Sequence, residues 1–355
     1  NCIAQALDDD LNTWKKSEAN PVIPYPEYVQ VNDGAVFRSI LDKLPDYGKY
    51  DVWDPHAWLD GDTYYSISGD NDTWPAKNST LWKSTDLENW ELVGDFFHHG
   101  EPEGVLDCPD FFKLGDKYVL LFLNKGLRYV IGDFKNEQFY PEKDGTMTWG
   151  SGLGYAPESL LDRNGRRIMW AALYDRRTNW GNVDDLVTRH GWDGVLTLPR
   201  VLSLDENNDL IMEPVKELQS LRTNPVTIKN ISIEDGEKII DEVKGDALEL
   251  KFSIKPDNVD ECGLRVLCSP DGKEQTTISY IPAKNIIRVD LSKTSLDPEL
   301  MKTGWHPLIQ EATLNLDKDE SIEMHIFIDK SVLEVFVNGK LCLNHKVYPS
   351  LVESR

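Results

Sequence analysis

One short motif returns three times within the first 160 residues, and it restricts the fold of this chain more than any other feature. Trp53-Asp54-Pro55-His56, Asp107-Cys108-Pro109-Asp110 and Tyr155-Ala156-Pro157-Glu158 each hold a proline in a tetrad that carries a carboxylate. Each leads through a polar turn (Asp60-Gly61-Asp62, Leu114-Gly115-Asp116, Asp162 to Gly165) into a run rich in aromatic and aliphatic residues at 63–68, 117–123 and 167–172. That composition is the composition of strands. The prolines lie 54 and 48 residues apart, the period of a four-stranded propeller blade. A second echo pairs Asp10-Leu11-Asn12-Thr13-Trp14 with Asp86-Leu87-Glu88-Asn89-Trp90, each behind a strand-like run at 1–7 and 78–83. In that register the chain opens at the third strand of a blade, so the expectation is an all-β propeller that starts in mid-blade.

The first strand of every propeller blade lines the central channel. Acids at the starts of successive blades therefore converge on one mouth of it, which makes Asp54, Asp107 and Glu158 a candidate three-carboxylate site. A single Asp beside a proline is ordinarily a turn cap; recurrence at the three blade starts favours a site.

From about residue 224 the pattern changes to strict alternation. Leu248, Leu250, Phe252 and Ile254 alternate with polar residues, as do Ile322, Met324, Ile326 and Ile328. Leu333, Val335 and Val337 lead into Asn338-Gly339, a two-residue hairpin signal. Such strands predict a sandwich with one wet face per sheet. The expected organisation is a propeller over 1–213, a helical linker over 214–223 carried by Val215, Leu218 and Leu221, and a sandwich over 224–355 that lacks its closing strands after Val347-Tyr348-Pro349.

Sixty-one acidic against 38 basic residues give a formal charge of −23, which excludes a nucleic-acid backbone or an anionic membrane as partner. The longest apolar run, 118–123, is too short to span a bilayer. With 11 Trp, 13 Tyr and 11 Phe, the chain suits sugar binding, because aromatic faces stack on sugar rings while carboxylates accept their hydroxyls. The five cysteines are scattered without zinc-site spacing, and Cys262 and Cys268, about 20 Å apart on one extended segment, are too distant to bond. His98-His99 reads as surface. Trp74 and Trp180 sit in polar loops, and the sequons at Asn71, Asn78 and Asn230 are too short to establish secretion. The chain begins with Asn1 and no leader pattern follows, so compartment and oligomeric state stay open.

The same motifs resemble the β-fructosidases, glycoside hydrolase family 32. Asp107-Cys108-Pro109-Asp110 resembles the family's Glu-Cys-Pro-Asp box, Trp53-Asp54-Pro55 its Arg-Asp-Pro box, and Tyr155-Ala156-Pro157-Glu158 a Tyr-Ala-Pro-Gln stretch. The run from Trp192 to Arg200 is similar to its Trp-x-Gly-x-Leu-Thr-Leu-Pro-Arg signature, and Asp329 to Gly339 to its sandwich signature. The resemblance implies a five-bladed β-propeller followed by a β-sandwich, and a retaining hydrolase of sucrose- or fructan-type oligo- and polysaccharides. By position Asp107 is the acid/base and Asp54 the transition-state stabiliser. Trp53, His56, Asp110, Tyr155, Glu158 and Trp192 are the candidate substrate-binding residues. No cofactor and no metal are implied, since glycosyl transfer needs none.

Four departures qualify this. The family's nucleophile box, Trp-Met-Asn-Asp-Pro-Asn-Gly, has no counterpart; Val31-Asn32-Asp33-Gly34 lacks the proline. The expectation is that the first blade is missing and that this chain alone does not hydrolyse by double displacement. Asp107 stands where glutamate is usual, one methylene shorter. Trp53 replaces an arginine, and Glu158, which replaces an amide, is a second possible proton donor. The alternatives to a fructosidase are a non-catalytic carbohydrate-binding relative and another five-bladed glycosidase acting on a different glycan.

Overall fold

Turn chemistry sets the strand boundaries. The computed structural model describes residues 1–24, 50, 52–69, 79–98, 105–148, 153–175, 177, 188, 191–192, 194–229, 231–304, 306–317 and 319–354. Val31 to Gly34, His99, Trp74, Trp180 and the three sequon asparagines lie outside these. The chain divides into two units, Asn1–Thr146 and Met147–Arg355, and the cut falls inside the stretch assigned from sequence to one propeller domain.

In the first unit, β1 (Ala4–Ala6) and β2 (Trp14–Lys16) form a hairpin. Next come β3 (His56–Asp60), β4 (Thr63–Ser68), β5 (Ser79–Ser84) and β6 (Glu91–Phe97), then β7 (Asp107–Leu114), β8 (Lys117–Leu123), β9 (Leu127–Lys135) and β10 (Gln138–Thr146). Each group of four is an antiparallel meander in sequence order, the form of a propeller blade. The hairpins β3–β4 and β7–β8 turn on Gly61 and Gly115, with φ of 60° and 61°, the left-handed geometry that matches strand twist. The two sheets share one core: Ile67, Leu81 and Phe96 pack with Phe111, Leu120, Phe122 and Phe139. Here tryptophan and phenylalanine are core residues, as Trp58 stacks on Tyr65 at 5.5 Å and abuts Phe111 at 5.0 Å.

The echo between residues 10–14 and 86–90 is structural as well as sequential. Leu11 and Leu87 both take positive φ, 57° and 68°. Trp14 Nε1 donates to the Leu11 carbonyl at 2.8 Å, and Trp90 Nε1 to the Leu87 carbonyl at 2.7 Å. The β1–β2 hairpin thus repeats the β5–β6 connection.

The second unit opens with β11 (Leu153–Leu161), β12 (Arg167–Leu173), β13 (Val195–Leu196), β14 (Arg200–Leu204) and β15 (Leu210–Pro214), ordered β11-β12-β14-β15 with β13 beside β12. A 3₁₀ helix at Lys216–Leu221 follows. Then come β16 (Ala247–Ile254), β17 (Cys262–Val266), β18 (Thr276–Ile281), β19 (Ile286–Asp290), β20 (Ile309–Thr313), β21 (Ile322–Asp329), β22 (Val332–Val337) and β23 (Leu341–Lys346). They form two sheets, β16-β21-β22-β23 and β17-β18-β19-β20, whose inner faces (Ile278, Ile287 and Val289 against Ile326, Leu333 and Val335) make one core. The chain is all-β, blade sheets followed by a sandwich.

Candidate active site

Two of the three proline boxes belong to the first unit, where β3 and β7 adjoin. In each box the residue before the proline is left-handed: Asp54 at φ 39° and Cys108 at 47°, matched by Ala156 at 48° in the second unit. Residues before proline avoid helical conformations, and left-handed residues other than glycine are uncommon. Three at one repeat position mark a built kink, held by the surrounding fold. At the second and third boxes the kink is a β-bulge, since pairing skips from Asp107 to Asp110 and from Tyr155 to Glu158. Bulges re-aim side chains. The recurrence belongs to this kink and not to the acids: Asp54 directly precedes its proline, Asp107 sits two before, and Glu158 one after.

The kinks couple Asp54 to the strand that carries Asp107. Asp54 Oδ2 accepts the Cys108 backbone N–H at 3.3 Å and the Cys108 thiol at 3.4 Å. In return, Trp53 Nε1 donates to Asp107 Oδ1 at 2.7 Å. Asp54 is exposed, while Trp53, Asp107 and Cys108 are half-buried. Trp53 is itself held at its main chain: its N–H donates to Ser68 Oγ at 2.8 Å, and its carbonyl accepts from the Ser68 hydroxyl at 3.1 Å and the Gly69 N–H at 2.7 Å. Glycine is needed there, because a Cβ on Gly69 would stand 2.2 Å from the Leu106 carbonyl oxygen.

Asp110 is fully buried, with Oδ1 3.6 Å from His56 Nδ1, and the His56 ring stacks on Trp58 at 6.2 Å. His56 is the outer member of this pair and Asp110 stands behind it.

The remaining candidates belong to the second unit. Tyr155 makes an edge contact with Tyr174 at 5.5 Å. Glu158, opposite Trp170 in the β11–β12 ladder, has an exposed surface, yet enough protein surrounds its carboxyl for desolvation to raise its pKa. Trp192 is 43% exposed and carries the Lys346 ammonium 4.6 Å from its ring centre. Nearby, Asp175 accepts from Arg177 Nε and from the Tyr348 hydroxyl at 2.9 and 2.6 Å. Burial works against the charged form of Asp175, but these bonds outweigh it and hold the pKa at about 2.

Cys108, Ser68 and Gly69 escaped the sequence reading. Only Cys108 had a signal, its place inside a repeated box. Among the described residues no group of three His, Cys, Asp or Glu side chains is arranged to hold a metal ion, and no helix is long and apolar enough to cross a membrane.

Kinked blade starts, an acidic pair bridged between them and a trailing sandwich define the architecture of a carbohydrate-active propeller protein. The model of the glycosyl hydrolases family 32 N-terminal domain matches residues 1–214, and that of the family's C-terminal domain matches residues 217–355. The chain belongs to glycosyl hydrolases family 32. It is 27% identical over 351 residues to a sucrose-6-phosphate hydrolase of Zymomonas mobilis, covering 89% of this chain and 65% of that protein. It is 26% identical over 411 residues to a fructan 1-exohydrolase of Aegilops tauschii, covering 97% of this chain and 64% of that protein. The chain therefore spans slightly less than two thirds of these relatives. Among solved structures, fructan 1-exohydrolase IIa of Cichorium intybus superposes with a TM-score of 0.78 at 22% identity, covering 98% of this chain and 73% of that one. These structures share the fold.

Proposed function

We propose that the protein is a β-fructosidase-type glycoside hydrolase acting on the O-glycosidic bonds of sucrose- or fructan-type sugars. The observation that carries this reading is the double cross-link between the first two boxes, which sets Asp54 and Asp107 on adjoining blade starts. The matching relatives, named as sucrose-6-phosphate and fructan hydrolases, support the substrate class.

Asp107 protonates the leaving glycosidic oxygen as the C–O bond breaks, then takes a proton from the water that attacks the anomeric carbon. Asp54, as a carboxylate, offsets positive charge on the oxocarbenium-like sugar ring. The attacking carboxylate of a retaining mechanism is neither of these two. Trp53 offers a face or an edge to the sugar, and His56, steadied by Asp110, offers a hydrogen bond. Propeller, linker and sandwich divide the chain at 213 and 224 in this reading.

A second reading concerns the donor alone. The desolvated carboxyl of Glu158 is easier to keep protonated than an ordinary glutamate, which favours it as an acid. Incubating the full-length protein with sucrose, inulin and levan and measuring released fructose tests both. Asp107→Asn and Asp54→Asn should each remove at least about a hundredfold of the rate, and Glu158→Gln should leave most of it. Sugar binding without release would instead identify a binding relative.

A further inference from the structure

We infer that Trp53 is the positioning residue for Asp107, so that the tryptophan and the aspartate act as a matched pair. The inference rests on the proposed acid/base role of Asp107 and adds to it what fixes that group.

An aspartate in place of a glutamate brings its carboxyl less far from the strand and leaves it with fewer ways to reach a sugar oxygen. The bulge between Asp107 and Asp110 sets the backbone there but does not by itself lock the Asp107 side-chain rotamer. The indole does. It carries a single N–H donor of fixed direction, and its 2.7 Å contact with Asp107 Oδ1 has the length of a charge-assisted bond. Its own main chain is pinned by Ser68 and Gly69, so the donor is anchored to β4 and not to a mobile loop.

The same bond has an electrostatic sign. A donor to the carboxylate favours its charged form, and Trp53 Nε1 is such a donor to Asp107. An arginine at position 53, which the β-fructosidase pattern has, would carry a full charge on a longer, more flexible stem. Indole and shorter acid therefore compensate each other in reach and in field.

Trp53→Phe in the full-length protein keeps a flat ring and removes the N–H together with the indole's five-membered ring. The expected result is a fall in kcat of about tenfold or more from lost placement, with the alkaline limb of the rate profile moving to higher pH. Asp107→Glu alone should also lose activity, and Trp53→Arg combined with Asp107→Glu should recover part of that loss. Independently of turnover, the Trp53 indole proton, assigned in NMR spectra by its absence in Trp53→Phe, should shift with pH through one titration that vanishes in Asp107→Asn. If Trp53→Phe raises KM while leaving kcat and the alkaline limb in place, tryptophan is only a stacking face and the inference falls. An Asp107→Asn protein with parental activity would instead overturn the acid/base role, and the indole titration would still report whether the contact exists.

Discussion

Gly69 is the tightest point near the proposed site. Its N–H closes on the Trp53 carbonyl, and the space of its missing Cβ is filled by the Leu106 carbonyl oxygen at 2.2 Å. Backbone cannot yield as a side-chain tip can, so Gly69→Ala must part the end of β4 from the residue preceding Asp107. The expected cost is about 1–3 kcal/mol, the range for overpacking, read as a lower urea midpoint, with a loss of activity larger than Ser68→Ala causes. Ser68→Ala removes two hydrogen bonds to Trp53 and should cost about 1–2 kcal/mol without forcing the strands apart. Nothing local in the sequence announces either residue. Ser68 and Gly69 follow an unremarkable strand, and their partners lie 15 and 37 positions away in the chain. Asp54 and Asp107 were legible because the box around them repeats, whereas the indole bond between their boxes depends on a rotamer that no pattern encodes.

At the scale of elements, legibility follows locality. β4 and β8 run over the residues that composition marked, 63–68 and 117–123, because both begin at glycine turns and end where the aliphatic run ends. The Asn338-Gly339 signal is realised with Asn338 and Gly339 left-handed, but Lys340 is added as a third turn residue before Leu341 pairs with Val337. The helical spacing at 215–221 yields one short 3₁₀ helix, with Leu221 exposed instead of packed. What sequence could not show is how β22 meets the Leu198 to Arg200 segment. Glu334 is fully buried, accepts the Leu198 N–H at 2.6 Å and pairs with buried Arg200 at 2.6 Å. Burial pushes the Glu334 carboxyl up, against the pull of Arg200 and the Leu198 amide. Removing one partner strands the other charge, so Glu334→Leu should cost about 3–5 kcal/mol in denaturant unfolding. Arg200→Met with Glu334→Leu should recover much of that loss, because neither change then leaves a buried charge.

Two electrostatic effects compete across the whole molecule as pH falls. At pH 7 the charge of −23 repels itself, and the isoelectric point is about 4.7, so acidification first relieves strain. Against this stand two buried carboxylates. Glu274 accepts bonds from the Leu296, Ser350 and Leu351 amides and the Ser350 and Ser354 hydroxyls. Burial opposes its charge, yet these bonds hold its pKa at about 2, as those of Asp175 do. Both folded values lie below the ordinary ones, so each group contributes fully above about pH 4.5 and loses that contribution as pH falls toward about 2. At about 1.4 kcal/mol per unit, each is worth on the order of 2–4 kcal/mol. Repulsion is the diffuse term and salt screens it with a length of about 10 Å at 0.1 M; the buried bonds are barely screened. Tm should therefore rise with added salt at pH 7, respond little to salt near pH 4.7, and fall steeply below about pH 4 at any ionic strength. Glu274→Gln should lower Tm at pH 7 and flatten the acid limb, and calorimetry across pH 3–7 at two salt concentrations reads both. An acid limb as steep in Glu274→Gln as in the parent would assign the acid transition to the spread surface charge and not to the buried carboxylate.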